Sequence, residues 1–267
     1  AEGVIDPEFG VKDAVKVSEN VNAGKVGMFY GYFWNCSSGW LQDGKMNDPS
    51  IDWIAVPILS IDDEPAKAMV PFATTYYTVV SKDCANPEAA VKMYNLVLEK
   101  MFGETAQPEV YNSTPENLAV FNYAYSYGEP PMKNLDAQQA VVAALESGDA
   151  SGLSAEQKNY YDNCVAYEES GDLALWGNYM MYGPDGGLGV INEYVSSGNV
   201  VTDNYFGAPT DGMAEKNATL QKLQLETFTK IITGSADVDE FDTYVENWKS
   251  LGGQQITDEV NEWLAQR

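Results

Sequence analysis

Histidine is absent from the 267 residues. That removes the usual general base of hydrolytic triads and the commonest transition-metal ligand. Cysteine is scarce as well: Cys36, Cys84 and Cys164 are an odd number with no CxxC spacing. Neither a zinc site nor a disulfide framework is expected, and the thiols read as single structural residues. Basic residues are outnumbered, with 15 Lys and Arg against 40 Asp and Glu and a net charge of −25. This argues against nucleic acid as a partner, because its affinity comes largely from Lys and Arg neutralising phosphates. It argues equally against an anionic membrane surface. No apolar run reaches the roughly 18 residues that a membrane span needs. No signal peptide precedes Ala1-Glu2-Gly3, so the chain reads as a processed product or a piece of a longer protein.

What is present is a globular composition, 45% apolar, at a length suited to one large domain or two modest ones. The stretch from Gly24 to Trp34 organises the reading. A helical pattern opened by Asp6-Pro7-Glu8 stops at Gly24, and the apolar run Val26–Met28–Phe29–Tyr30 predicts a buried strand with an aromatic, flexible tip. Gly39 to Ser50 reads as a loop, Asp52–Ile58 as a short strand, and Met69–Ser81 as a β-rich segment. Asn86-Pro87-Glu88 opens a helix that ends near Gly103, and Glu104 to Pro131 is expected to be irregular or short strand. Further helices are predicted over Leu135–Ser147, from the Ser154–Gln157 capping box onward, and over Leu173–Tyr182. Pro184 to Gly189 reads as a loop. Three amphipathic helices follow, over 220–234, 238–251 and from Thr257, with their apolar faces as core.

Chemistry-bearing motifs are weak. Asp62-Asp63-Glu64, Glu168-Glu169 and Asp237-x-Asp239-Glu240 read as solvated faces or helix starts, since a catalytic carboxylate pair needs a shaped cleft. The run from Asp237 lacks the glycine and closing glutamate of a calcium loop. Gly186-Gly187-Leu188-Gly189 has no P-loop lysine after it. No cofactor and no metal are expected, and the chain is not expected to be an enzyme. Rings are abundant instead, with 17 Tyr, 6 Trp and 9 Phe. Several stand in loop-like settings: Trp34, Trp40, Tyr76, Tyr77, Trp176, Tyr205 and Phe206. A flat ring complements the C–H face of a sugar, and amides or hydroxyls complement its rim, on the general plan of an apolar lining with few placed polar groups.

Four stretches together resemble the C-terminal half of extracellular solute-binding proteins (family 1) of bacterial carbohydrate ABC importers, especially their lipoprotein branch. They are Asp6-Pro7-Glu8-Phe9 leading through Gly24–Met28 to Trp34, then Val79–Lys82 with Asn86–Ala90. Phe206–Thr210 is the third, and Phe228–Gly234 with Phe241-Asp242, Trp248, Leu251–Gly253 and Val260–Trp263 is the last. The resemblance implies a helix-rich α/β fold, a periplasmic-binding-protein-like (type II) C-terminal lobe over 1–70 and 112–267. It implies that 71–111 is a crossover strand–helix segment belonging to an N-terminal lobe absent from this chain. It further implies an oligosaccharide or other solute as ligand, permease subunits as partners, a monomer, and an extracellular, lipid-anchored parent. By position it marks Trp34, Tyr76, Tyr77, Tyr205, Phe206 and Thr210 as ligand-facing, while Trp40 and Trp176 are added from composition alone. Readings from other classes are a carbohydrate-active enzyme domain using a carboxylate pair and a non-catalytic interaction module.

Overall fold

Helix dominates the structure, a computed structural model that describes residues 3–72, 74, 76–112, 119–124 and 127–267. Of the described residues 57% are helical, and they form one small two-stranded parallel sheet. It divides into two compact units, one built from the chain up to Lys16 with Thr202–Arg267, the other from Val17–Val201.

In chain order the helices are α1 (Ala14–Asn22), α2 (Leu41–Asn47), α3 (Glu88–Phe102), α4 (Pro108–Tyr111), α5 (Lys133–Ser147) and α6 (Ala155–Ser170). Then come α7 (Leu173–Tyr182), α8 (Gly187–Ser196), α9 (Asp211–Ile232), α10 (Glu240–Trp248) and α11 (Gln254–Ala265). The sheet pairs β1 (Ala68–Val70) with β2 (Val200–Thr202).

Local signals explain where the central helices begin and end. Ser154 accepts from the Gln157 N–H at 3.3 Å while Gln157 Oε1 accepts from the Ser154 N–H at 2.9 Å, the reciprocal capping box that fixes the start of α6. Gly148 and Gly171 close α5 and α6 at φ 71° and 67°, a left-handed conformation that glycine adopts without a Cβ penalty. Asp172 Oδ1 accepts from the Ala174 N–H at 3.0 Å and caps α7.

The larger unit has two clusters. Ala137, Val141, Cys164, Tyr182 and Leu188 bring α5, α6, α7 and α8 together, and Val21, Cys36, Leu41 and Trp176 join α1 and α2 to the inner face of α7. A polar hub binds the first cluster. One carboxylate oxygen, Glu156 Oε1, lies 2.7 Å from Lys133 Nζ and accepts from Asn112 Nδ2 and the Tyr160 hydroxyl, both at 2.8 Å. Tyr160 in turn stacks on Tyr182 with centroids 3.8 Å apart. Burial, reinforced by Glu156, pushes both phenols well above the ordinary tyrosine range, so both stay protonated and can donate.

In the smaller unit α9 packs on α10 and α11. Phe228 meets Tyr244 and Phe241 at 5.3 and 6.0 Å. The glycine pair after Leu251 is a kink instead of a stop. Gly252 takes φ 123° against the Lys216 side chain, and the chain re-enters helix at once, so α11 starts at Gln254. Thr257 lies inside α11 and donates to the Gly253 carbonyl at 2.9 Å. Leu264, expected to face inward, is exposed.

Several other expectations are corrected. The first helix starts at Ala14, with Asp13 Oδ1 accepting from the Lys16 N–H at 2.9 Å. Asp6 and Glu8 instead pair with Lys12, at 2.6 and 3.2 Å. The loop expected over 39–50 contains α2, and the one expected over 184–189 contains the start of α8. No strand forms over 25–34 or 52–58, and among the described residues of Met69–Ser81 strand is confined to Met69 and Val70 of β1. A strand is completed by a neighbouring strand's hydrogen bonds, and among the described residues only Ala68–Val70 has such a partner. Residues 52–58 are one-sided. Trp53, Ala55 and Pro57 are half-buried, while Ile54, Val56 and Ile58 between them face outward. Met28, expected as core, is 78% exposed.

The hub can be tested by contrast with a surface pair. Lys133→Met leaves the Glu156 charge unpaired at a nearly buried position and is expected to cost about 3 kcal/mol in urea unfolding. Lys158→Met, which breaks the exposed pair with Asp162, should cost less than about 0.5 kcal/mol. Equal costs would show that the hub does not organise the core.

Candidate functional site

Trp34 sits on the 3₁₀ turn Phe33–Cys36, which follows the extended run from Lys25. The turn is braced from inside. Asn35 is buried and its Oδ1 accepts from the Tyr32 N–H at 2.6 Å, and the Ser37 hydroxyl donates to the Trp34 carbonyl at 2.7 Å. Below it, the Cys36 thiol contacts the Met180 carbonyl of α7 at 3.6 Å.

Two glycines let helices approach this turn closely. A Cβ on Gly177 would lie 2.7 Å from the Cys36 carbonyl oxygen, and one on Gly187 would lie 3.2 Å from the Phe33 Cα. The turn is therefore seated on α7 and the first turn of α8. Tyr32 and Trp34 stack at 4.3 Å with ring planes 8° apart, and Phe33 meets Trp34 edge-on at 5.0 Å. Trp34 remains 48% exposed and Tyr32 68% exposed. The result is a rigidly mounted aromatic platform facing solvent.

The other predicted residues fall into three groups. Tyr76 and Tyr77 come together, lining one groove of about 790 Å³. Tyr94 of α3, Phe121 and Tyr127 line it too, with Asn122 and Thr78 as polar groups. Burial, then a hydrogen bond to Glu129, pushes the Tyr127 phenol up, so it is a neutral donor at any ordinary pH. Trp34 is not among the residues of this groove.

Trp40 and Trp176 behave differently. Trp40 precedes α2, is half-buried, and stacks on Phe29 at 6.0 Å. Trp176 is core: it is 2% exposed among Val21, Cys36 and Leu41, and offers no ring face to a ligand. Its helix is packed by α2, α5, α6 and α8, and the ring points inward under the turn that carries Trp34.

Tyr205, Phe206 and Thr210 are engaged within the smaller unit. Tyr205 and Phe206 pack on Trp263 at 4.8 and 5.0 Å, and the Arg267 guanidinium lies 4.2 Å over the Phe206 ring. Thr210 is the N-cap of α9, accepting from the Met213 N–H at 3.2 Å. Its hydroxyl also bonds Glu259, whose carboxyl is thereby held below the usual range. The cap pattern before a long helix was the signal for that structural role.

Sequence reasoning missed Tyr32, Tyr94, Phe121 and Tyr127. For Tyr32 a signal existed, since Tyr-x-Trp places two rings on one side of an extended stretch. The other three converge only through tertiary packing.

No family model matches the chain, and no solved structure matches it. A curated relative, described as an uncharacterized protein in the butB 5′ region of Niallia circulans, is 25% identical over 268 residues. The alignment covers 98% of this chain and 94% of that relative. The likeness therefore runs through both units and is not confined to one motif.

The bracing thiol gives a direct check. Burial pushes Cys36 up to about 11 and Cys164 up to about 12, from an ordinary 9.0. Both therefore stay protonated and unreactive when folded, while Cys84 is exposed. A disulfide-exchange reagent at pH 8 should titrate one thiol per native chain and three in denaturant. Because the folded values are the higher ones, stability present below pH 9 is lost as pH rises from there through 11 and 12. Rapid reaction of all three native thiols would contradict this placement.

Proposed function

We propose that this chain is the C-terminal part of an extracellular solute-binding protein of a bacterial ABC importer, with a type II lobe architecture and an oligosaccharide as ligand. The single observation that carries the reading is the placement of Trp34, a large ring held half in water on a turn braced by Asn35, Ser37 and Gly177. Burying an aromatic of this size stabilises a fold by about 1.5–3 kcal/mol. A ring kept out at that cost, and stacked flat with Tyr32, suits the C–H face of a sugar. The groove carrying Tyr76 and Tyr77 supports the same chemistry with further rings.

The division into lobes belongs to this proposal. Residues 71–111 would cross back to complete an N-terminal lobe, with ligand trapped as the lobes close and handed to permease subunits. Ile54, Val56, Ile58, Met69, Val79 and Val91 are all exposed, and an adjoining lobe would cover such apolar surface. The parent protein would be monomeric, extracellular and lipid-anchored.

A glycosidase reading needs a carboxylic acid whose pKa is raised. The carboxyls of Asp6, Asp48, Asp62, Glu99, Asp149 and Glu259 are all shifted downward by hydrogen bonds or nearby Lys. These six carboxyls therefore do not meet that requirement.

The test is a titration of the chain with neutral oligosaccharides, followed by tryptophan fluorescence and by chromatography of the sugar. Half a cleft binds weakly, so the titration runs into millimolar sugar. A saturable fluorescence change without new products is expected, and Trp34→Ala should abolish it with the unfolding midpoint nearly unchanged. Cleavage of the sugar would overturn the non-catalytic reading, and no response to any neutral oligosaccharide would overturn the carbohydrate reading.

A further inference from the structure

A second cleft, of about 650 Å³, opens on the helical face of the larger unit and shares no residue with the ring-lined groove. One wall is α6, presenting Asn159 and Asn163 one turn apart, and a second is α7 with Asn178. Across from them stand Gln42 of α2 with Ser37 and Ser38, and Glu109 and Asn112 at the end of α4.

The distribution of hydrogen bonds among these groups is uneven. Gln42 Nε2 donates to the Ala174 carbonyl at 2.7 Å, and Asn112 and Tyr160 both donate to Glu156. Asn178 Oδ1 takes only a long contact, 3.7 Å, from the Cys164 thiol. The Asn159 and Asn163 amides have no partner among the described residues. Three amides on two tightly packed helices therefore point at one space with donors and acceptors still open.

Charge narrows the ligand class. No Lys or Arg lines the cleft. Lys133, which contacts the cleft residue Glu156, is held by it at 2.7 Å, and Lys158 is paired with Asp162. Glu109 is exposed at the cleft, and the whole chain carries −25. An anionic ligand would enter with no counter-charge and against that field. A primary amide offers one donor and one acceptor side by side, which matches the adjacent hydroxyls of a vicinal diol. The volume falls within the range of small-molecule sites.

We infer that this cleft is a second binding site, taking a small uncharged polyhydroxyl compound, a polyol or single sugar unit, through Asn159, Asn163 and Asn178. The inference stands on residues other than Trp34, Tyr76 and Tyr77, and does not require the platform to bind sugar.

The experiment is saturation-transfer NMR with isothermal titration on the full 267-residue chain, using glucose, xylitol and glucose 6-phosphate as probes. Glucose or xylitol should bind with one-to-one stoichiometry, and glucose 6-phosphate at least tenfold more weakly. Asn163→Leu should weaken the neutral probe at least tenfold, while Lys222→Met, at an exposed pair outside both the cleft and the ring-lined groove, leaves it within twofold. Should Asn163→Leu fail to fold by circular dichroism, Asn159→Ala, at an exposed position, carries the same test with a loss of at least threefold. The inference is overturned if neither neutral probe binds saturably, if the phosphate binds as well, or if the asparagine variants bind like the parent. A loss in Trp34→Ala with the asparagine variants unchanged would assign the binding to the platform and overturn the second site, while leaving the carbohydrate reading intact.

Discussion

A single carboxylate oxygen holds the centre of the larger unit. Glu156 Oε1 takes Lys133 from α5, Asn112 from the end of α4 and Tyr160 from one turn further along α6. Removing such a group from water is costly, and only several donors together offset that cost. Here three converge, two of them neutral and one charged. Tyr160 passes the constraint to α7 by stacking on Tyr182. Through α7 it reaches Gly177 and the turn that carries Trp34, so the platform's position depends on a polar contact that does not touch it.

Trp34 and Trp176 show how one residue type takes two fates on adjoining elements of the fold. Trp176 lies on α7 and points into the second cluster, as an apolar residue on an inward helix face must. Trp34 lies on the turn above that same helix, and its neighbours Asn35 and Cys36 take the buried places instead. Phe33 packs on the first cluster, and the two buried positions of the turn are filled by an amide that satisfies a backbone N–H and a thiol small enough to fit against the Met180 carbonyl. The ring is left outside by geometry, and its exposure is built in.

Helix ends were legible in the sequence because their causes are local. Ser154 with Gln157 and Gly148 each act within a few residues, and α7 has the bounds read for it, whereas the helix expected from 220 starts at Asp211 behind the cap Thr210, which the resemblance marks as ligand-facing. Strands were not, because a strand is defined by its partner. The run at 69–81 is uncharged and rich in β-branched residues, those at 25–34 and 52–58 are mostly apolar with one charge each, and among the described residues a ladder forms only where Ala68–Val70 pairs with Val200–Thr202. Gly187 likewise read as loop because its tight packing on Phe33 is a tertiary fact. At the candidate site, aromatic composition found Trp34, Tyr76 and Tyr77. It could not separate them from Trp176, nor find Tyr94, Phe121 and Tyr127, which join only when α3 and the turn near residue 121 meet.

The most direct measurement is fluorine NMR of the chain labelled with 5-fluorotryptophan, with the Trp34 and Trp176 resonances assigned by single substitution to Phe. If the exposed ring is the ligand-facing one, a saturating neutral oligosaccharide shifts or broadens the Trp34 resonance and leaves Trp176 in place. A Trp34 resonance unmoved at saturating sugar, or a shift confined to Trp176, would contradict the claim that this platform binds carbohydrate.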